Sequence, residues 1–133
     1  MRQFILLLAL ILLITACAKQ ANKPLGVDHS QTDKALIQAL VNRGTDANKI
    51  HWVSFLIDCK DKGLVTSIAD KADSLGYEAD YVSYSKQRMS WSTTVSKEMK
   101  LNAAEIARHR AQLSPFVPSG ACYPIGFGAA VVK

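Results

Sequence analysis

Hydrophobic positions along this chain of 133 residues change their spacing several times, and each change predicts an element. Phe4 to Ile14 is an uninterrupted apolar run. The polar stretch AKQANKPLGVDHS after Cys17 has neither a strand nor a helix period and contains Pro24 and Gly26, so it reads as a tether. Next, Leu36, Ile37, Leu40 and Val41 fall at helical spacing behind Ser30 or Thr32, either of which can cap, with Gly44 just past the end. The run IHWVSFLIDC, residues 50–59, is β-branched and aromatic between polar flanks and predicts a buried, central strand. From Lys62 to Leu75 the residues Leu64, Ile68, Ala72 and Leu75 mark one helical stripe, stopped by Gly76. Tyr77 to Ser85 reads as a strand and Ser85 to Arg88 as its hairpin connection. In MSWSTTVSKEM, residues 89–99, Met89, Trp91, Thr93 and Val95 face one way, while Ser90, Ser92, Thr94 and Ser96 form a solvated face. Asn102 and Glu105 make a capping-box variant that opens a helix through Ile106 and Leu113, closed by Ser114 and Pro115. The stretch YPIGFGAAVV predicts a last strand, with Pro124 at an edge or first position and Gly126 and Gly128 suggesting a bulge or bend.

The opening run changes the picture most. Met1-Arg2-Gln3 is positively charged and the apolar run behind it is well short of the roughly 20 residues a spanning helix needs, so the segment reads as a secretory signal. Ile14-Thr15-Ala16-Cys17 resembles the bacterial lipobox, an aliphatic and two small residues before a cysteine. That resemblance implies a diacylglycerol thioether on Cys17, cleavage before it, and acylation of the new amino terminus; two or more chains suffice for stable anchoring. Ala18 in the next position fits outer-membrane sorting where the host has two membranes. The expected division is a signal peptide over residues 1–16, a flexible tether over 17–30 with an r.m.s. span of roughly 20 Å, and one domain over 31–133, facing the periplasm.

After the first helix the predicted order is β-α-β-β-α-β, the ferredoxin-like split βαβ pattern: an α+β fold with an antiparallel sheet, helices on one face, and an extra helix in front. Cys59 ends the first strand and Cys122 opens the fourth, and these two strands are antiparallel neighbours in that topology. Outside the cytosol such a pair invites a disulfide, with two buried free thiols as the alternative.

Charge divides the chain. Residues 17–80 carry eight Lys/Arg against nine Asp/Glu, whereas residues 81–133 carry seven against two. Lys86, Arg88, Lys97, Lys100, Arg108 and Arg110 gather around the third strand and last helix, a candidate face for an anionic partner or simply a solvated cationic surface. Catalytic and metal-binding signals are absent: there is no H-E-x-x-H, C-x-x-C, G-x-S-x-G or phosphate-cradling glycine loop. His51 and Cys59 share a strand face, but eight residues span about 27 Å, too far for a nucleophile and its base. His29 lies in the tether, and His109 is placed on an exposed helix turn. No cofactor is implied, and nucleic acid is a poor partner outside the cytosol.

The stretch LIQALVNRGTDANKIHWVSFLIDCKDKGLVTSIADKADSLGYEADY resembles the regulator of ribonuclease E activity B family, through a helix ending in glycine, an Asp-bearing turn, an apolar strand and a helix closing in Leu-Gly-Tyr. LNAAEIARHRAQL is similar to the family's Leu-Asn-Ala helix opening. The resemblance implies the same ferredoxin-like sandwich and a role in protein–protein inhibition without catalysis. Because Arg2 ahead of the apolar run orients the remainder outward, the expected protein is a lipid-anchored envelope module that binds another protein. The alternatives are a cytosol-facing inhibitor of an endoribonuclease of the ribonuclease E type, or a small-ligand sensor using the hydroxyl row.

Overall fold

The computed structural model describes residues 28–133; the signal segment, Cys17 and most of the expected tether lie outside them. The elements are α1 (Ser30–Asn42), β1 (Ile50–Cys59), α2 (Lys62–Ser74), β2 (Glu78–Ala79), β3 (Ser83–Ser85), β4 (Ser90–Lys100), α3 (Ala103–Leu113), a 3-10 turn (Ser114–Phe116) and β5 (Gly126–Ala129). All strand pairs are antiparallel, in the order β2-β4-β1-β5 with β3 also on β4. This is the expected ferredoxin-like α+β arrangement with an additional leading helix. β1 is central and has the predicted bounds, because it pairs with β4 along its whole length and with β5 along part of it.

One face of β1 carries His51, Val53, Phe55, Ile57 and Cys59, all buried. Against it pack Val65, Ile68 and Ala72 of α2, Ile106 and Leu113 of α3, Leu40 of α1, and Val95 and Met99 of β4. A core Phe→Ala truncation in such a cluster costs about 3–5 kcal/mol. Capping follows local chemistry. Asp61 accepts from the Leu64 amide at the start of α2, and Asn102 accepts from the Glu105 amide at the start of α3, each satisfying an orphan helix donor. Gly44 and Gly76 sit at φ +99° and +89° after α1 and α2, the left-handed stop that glycine adopts without steric cost.

Several expectations need correction. Neither Ser30 nor Thr32 caps α1: its first turn begins at His29, Thr32 Oγ1 donates to the His29 carbonyl, and Asp28 accepts from the Ser30 amide. The buried stripe of α2 is Val65, Ile68, Ala69 and Ala72, so Leu75 is left exposed. The single strand expected over residues 77–85 is two short ones. Ala79 pairs with Val95 and Ser83 with Ser92, four steps on one strand against three on the other. The extra residue makes a bulge that turns Tyr81 fully outward. Met89 leaves the strand for the turn, at φ +48°. Gly126 and Gly128 make no bulge; they keep regular register with Leu56 and Ser54.

Candidate functional site

Strict alternation along β1 sends Trp52, Ser54, Leu56 and Asp58 to the sheet face that no helix covers. Direct pairing brings Glu98, Ser96, Thr94 and Ser92 of β4 to the same face. Glu78 of β2 joins them opposite Ser96, and Gly128 and Gly126 of β5 lie beside Ser54 and Leu56. The result is a floor of hydroxyls and glycines with a 46% exposed Trp52 at one end. Near Trp52 a shallow groove of about 660 Å³ is lined by Asp73, Glu78, Lys97 and Glu98. The hydroxyl row expected to be wet is only partly so. Ser96 is buried against Ser54, their oxygens 2.7 Å apart, and Ser90 is wholly buried.

At the other end stands Asp58, 2% exposed. Arg88 Nη1 approaches its Oδ2 to 2.7 Å, off the line of a hydrogen bond, while Oδ1 and the Ser90 hydroxyl have no hydrogen-bond partner among the described residues. Arg88 lies over the Tyr123 ring, 5.4 Å from its centroid, and the Tyr123 amide donates to the Asp58 carbonyl. The Cys59–Cys122 disulfide closes this end, across an isolated antiparallel bridge between the same two residues. The topological argument therefore identified the cysteine pair correctly.

The six basic residues do not form one face. Arg110 is buried, its guanidinium bonded at 2.6 and 2.8 Å to both oxygens of Asp33 and at 2.8 Å to the Ile125 carbonyl. Lys97 donates to the Leu75 carbonyl and lies over the Tyr77 ring. Arg108 pairs with Glu105 and Arg88 with Asp58. Lys86 sits in the turn before β4 and Lys100 at that strand's far end. Intramolecular anions and carbonyls thus take up four of the six charges that the sequence offered to a partner.

His109 is buried, not exposed, and faces Tyr77. The Tyr77 hydroxyl donates to Gln112 Oε1 at 2.9 Å and lies 2.6 Å from His109 Nδ1, so Nδ1 carries the proton and Nε2 accepts from Arg108 at 3.1 Å. Burial, reinforced by the Arg108 charge, pushes the His109 pKa down, and burial pushes that of Tyr77 up. His51 does share the face of Cys59, but it is bonded to Thr45 and to the Lys49 carbonyl, and Cys59 is in the disulfide. No group of His, Cys, Asp and Glu among the described residues could hold a metal ion. No helix among them is long and apolar enough to cross a membrane.

A sequence profile described as Regulator of ribonuclease activity B matches residues 30–128, the whole span from α1 into β5. The chain belongs to this family. None of the curated proteins matches the sequence. In this member of the regulator B family, residue spacing alone left Trp52 and Asp58 unremarked. The signal was present: an aromatic and a carboxylate at even positions of a strand whose odd positions are all core.

Proposed function

We propose that this chain is a non-catalytic regulator that acts by binding another protein, and that it does so from the cell envelope. The observation that carries the reading is family membership from α1 into β5, residues 30–128, in a family whose description is regulatory. The open sheet face gives such a domain a surface free of its own helices. Signal-like residues 1–16 and the lipobox cysteine support an anchor through acylated Cys17, facing the periplasm and in the outer membrane where there are two. The Cys59–Cys122 bridge suits that oxidising space, since structural disulfides persist there and are rare in the cytosol. The family description names a ribonuclease as what is regulated, which motivates a second reading: a cytosol-facing inhibitor of an endoribonuclease of the ribonuclease E type.

Fusing alkaline phosphatase or green fluorescent protein to Lys133 separates the two. Phosphatase activity with dark fluorescent protein is expected; bright fluorescence without phosphatase activity overturns the envelope assignment. In crosslinked envelopes the full chain should recover a reproducible protein partner. Labelling with a fatty-acid analogue should be lost in Cys17→Ala, and equal labelling of both proteins removes the anchor.

A further inference from the structure

The chain as a whole carries a formal charge of +5, yet the open face of its sheet has the opposite sign. Asp58, Glu78 and Glu98 stand there by register, and Asp80 joins them by accepting from Thr94 Oγ1 at 3.1 Å. Arg88 opposes Asp58 at one end and Lys100 stands at the other end of β4. The ion pairs among the described residues join Arg88 to Asp58, Arg108 to Glu105, and Arg110 to Asp33, so Glu78 and Glu98 are in none of them. Both line the shallow groove on the β4 and β2 side of Trp52, where Lys97 is already engaged by the Leu75 carbonyl.

Asp58 adds an independent observation at the far end of the same strand face. A carboxylate offers about four acceptor positions, and this one, though nearly inaccessible, has a single misaligned contact and an oxygen with none. Leaving such an oxygen without a donor is costly. The group over it is Arg88, whose side chain is 53% exposed and is held otherwise by the Tyr123 ring. Arg88 thus covers an acceptor site that it does not fill.

We propose that the open sheet face binds a basic, extended polypeptide segment, with one cationic side chain on Trp52 beside Glu98 and toward Glu78, and a second donor taking the place of Arg88 at Asp58. The two sites are separated by six strand residues, about 20 Å, so a segment of six or seven extended residues reaches both. A cation over an indole face contributes about 0.5–2 kcal/mol, and the flanking carboxylates add charge complementarity and speed of encounter. The proposal rests on the protein-binding reading above and names the chemistry of the partner. It reverses the sign expected from the basic second half of the sequence.

The test uses the full-length chain and two synthetic 12-residue probes, one alternating Arg and Thr and the other alternating Glu and Thr. The Arg–Thr peptide is expected to change the tryptophan fluorescence, and Trp52→Phe to abolish that change with Trp91 still present. Its affinity should fall at least tenfold in the double variant Glu78→Gln/Glu98→Gln and about threefold in Asp58→Asn. In Arg88→Ala it should rise about threefold, whereas a basic face serving an anionic partner would lose affinity there. Thermal melts establish that each variant is folded. Equal or tighter binding of the Glu–Thr peptide, no binding of either, or weaker Arg–Thr binding by Arg88→Ala overturns the proposal. A partner captured from envelopes equally by wild type and by Glu78→Gln/Glu98→Gln rejects this surface and leaves the protein-binding reading standing. Capture of no partner by either protein rejects that reading, and the proposal with it.

Discussion

Asp33 and Asp58 are both buried aspartates that meet one arginine each, and the two pairs are built differently. Arg110 grips Asp33 through two aligned bonds and spends its remaining nitrogen on the Ile125 carbonyl, locking α1 to α3 and to the residue before β5. Arg88 touches Asp58 through one misaligned contact from a half-exposed side chain. Bidentate geometry with further hydrogen bonds is what allows a desolvated pair to persist. The first pair has that geometry and lies between elements. The second lacks it and lies at a surface, where something else can complete it.

The sharpest break of this contrast is Arg110→Ala, which strands the Asp33 carboxylate and should cost about 3–5 kcal/mol, seen as a lower denaturant midpoint with unchanged slope. Next comes the double substitution Cys59→Ala/Cys122→Ala. Opening a loop whose ends are 63 residues apart removes a constraint worth about 2–4 kcal/mol, and hydrogen exchange should rise at Tyr123, whose amide bonds to Asp58. A third measurement follows stability against pH. Because the folded-state pKa of His109 lies below its ordinary value, the unfolded chain takes up the proton first as pH falls through about 6.5. Stability should therefore decline from that point downward, and His109→Gln should flatten the profile. The smallest effect belongs to Arg88→Ala: removing the half-exposed side chain that covers Asp58 opens the carboxylate to water, so stability is expected within about 1 kcal/mol of wild type. A loss from Arg88→Ala as large as that from Arg110→Ala would erase the distinction between the two pairs.

How much of this was legible in the chain depends on range. β1, α3 with its Asn102 cap, and the glycine stops were readable because local chemistry determines them. The cysteine pairing was readable because topology brings the end of one strand to the start of another. The break between β2 and β3 was not, since a bulge is defined only against the partner strand. The buried Asp33–Arg110 pair joins residues 77 positions apart, and its one local hint is that Arg110 occupies the buried stripe of α3 with Ile106 and Leu113. Arg108 and Arg110 look alike in a charge count, and only packing shows that one is exposed while the other is buried. The open face was half legible: alternation places Trp52 and Asp58 together, but the acidic surroundings come from β2 and β4.

The leading helix has a geometric implication of its own. α1 lies in the helical layer, clasped to α3 through Asp33 and Arg110 and contributing Leu40 to the core. The described chain enters the domain at the start of α1, in the layer opposite the bare sheet. Entry and recognition are thereby kept on opposite sides of one thin domain: the helices receive the incoming chain, and the strands hold Trp52 and Asp58 clear of it.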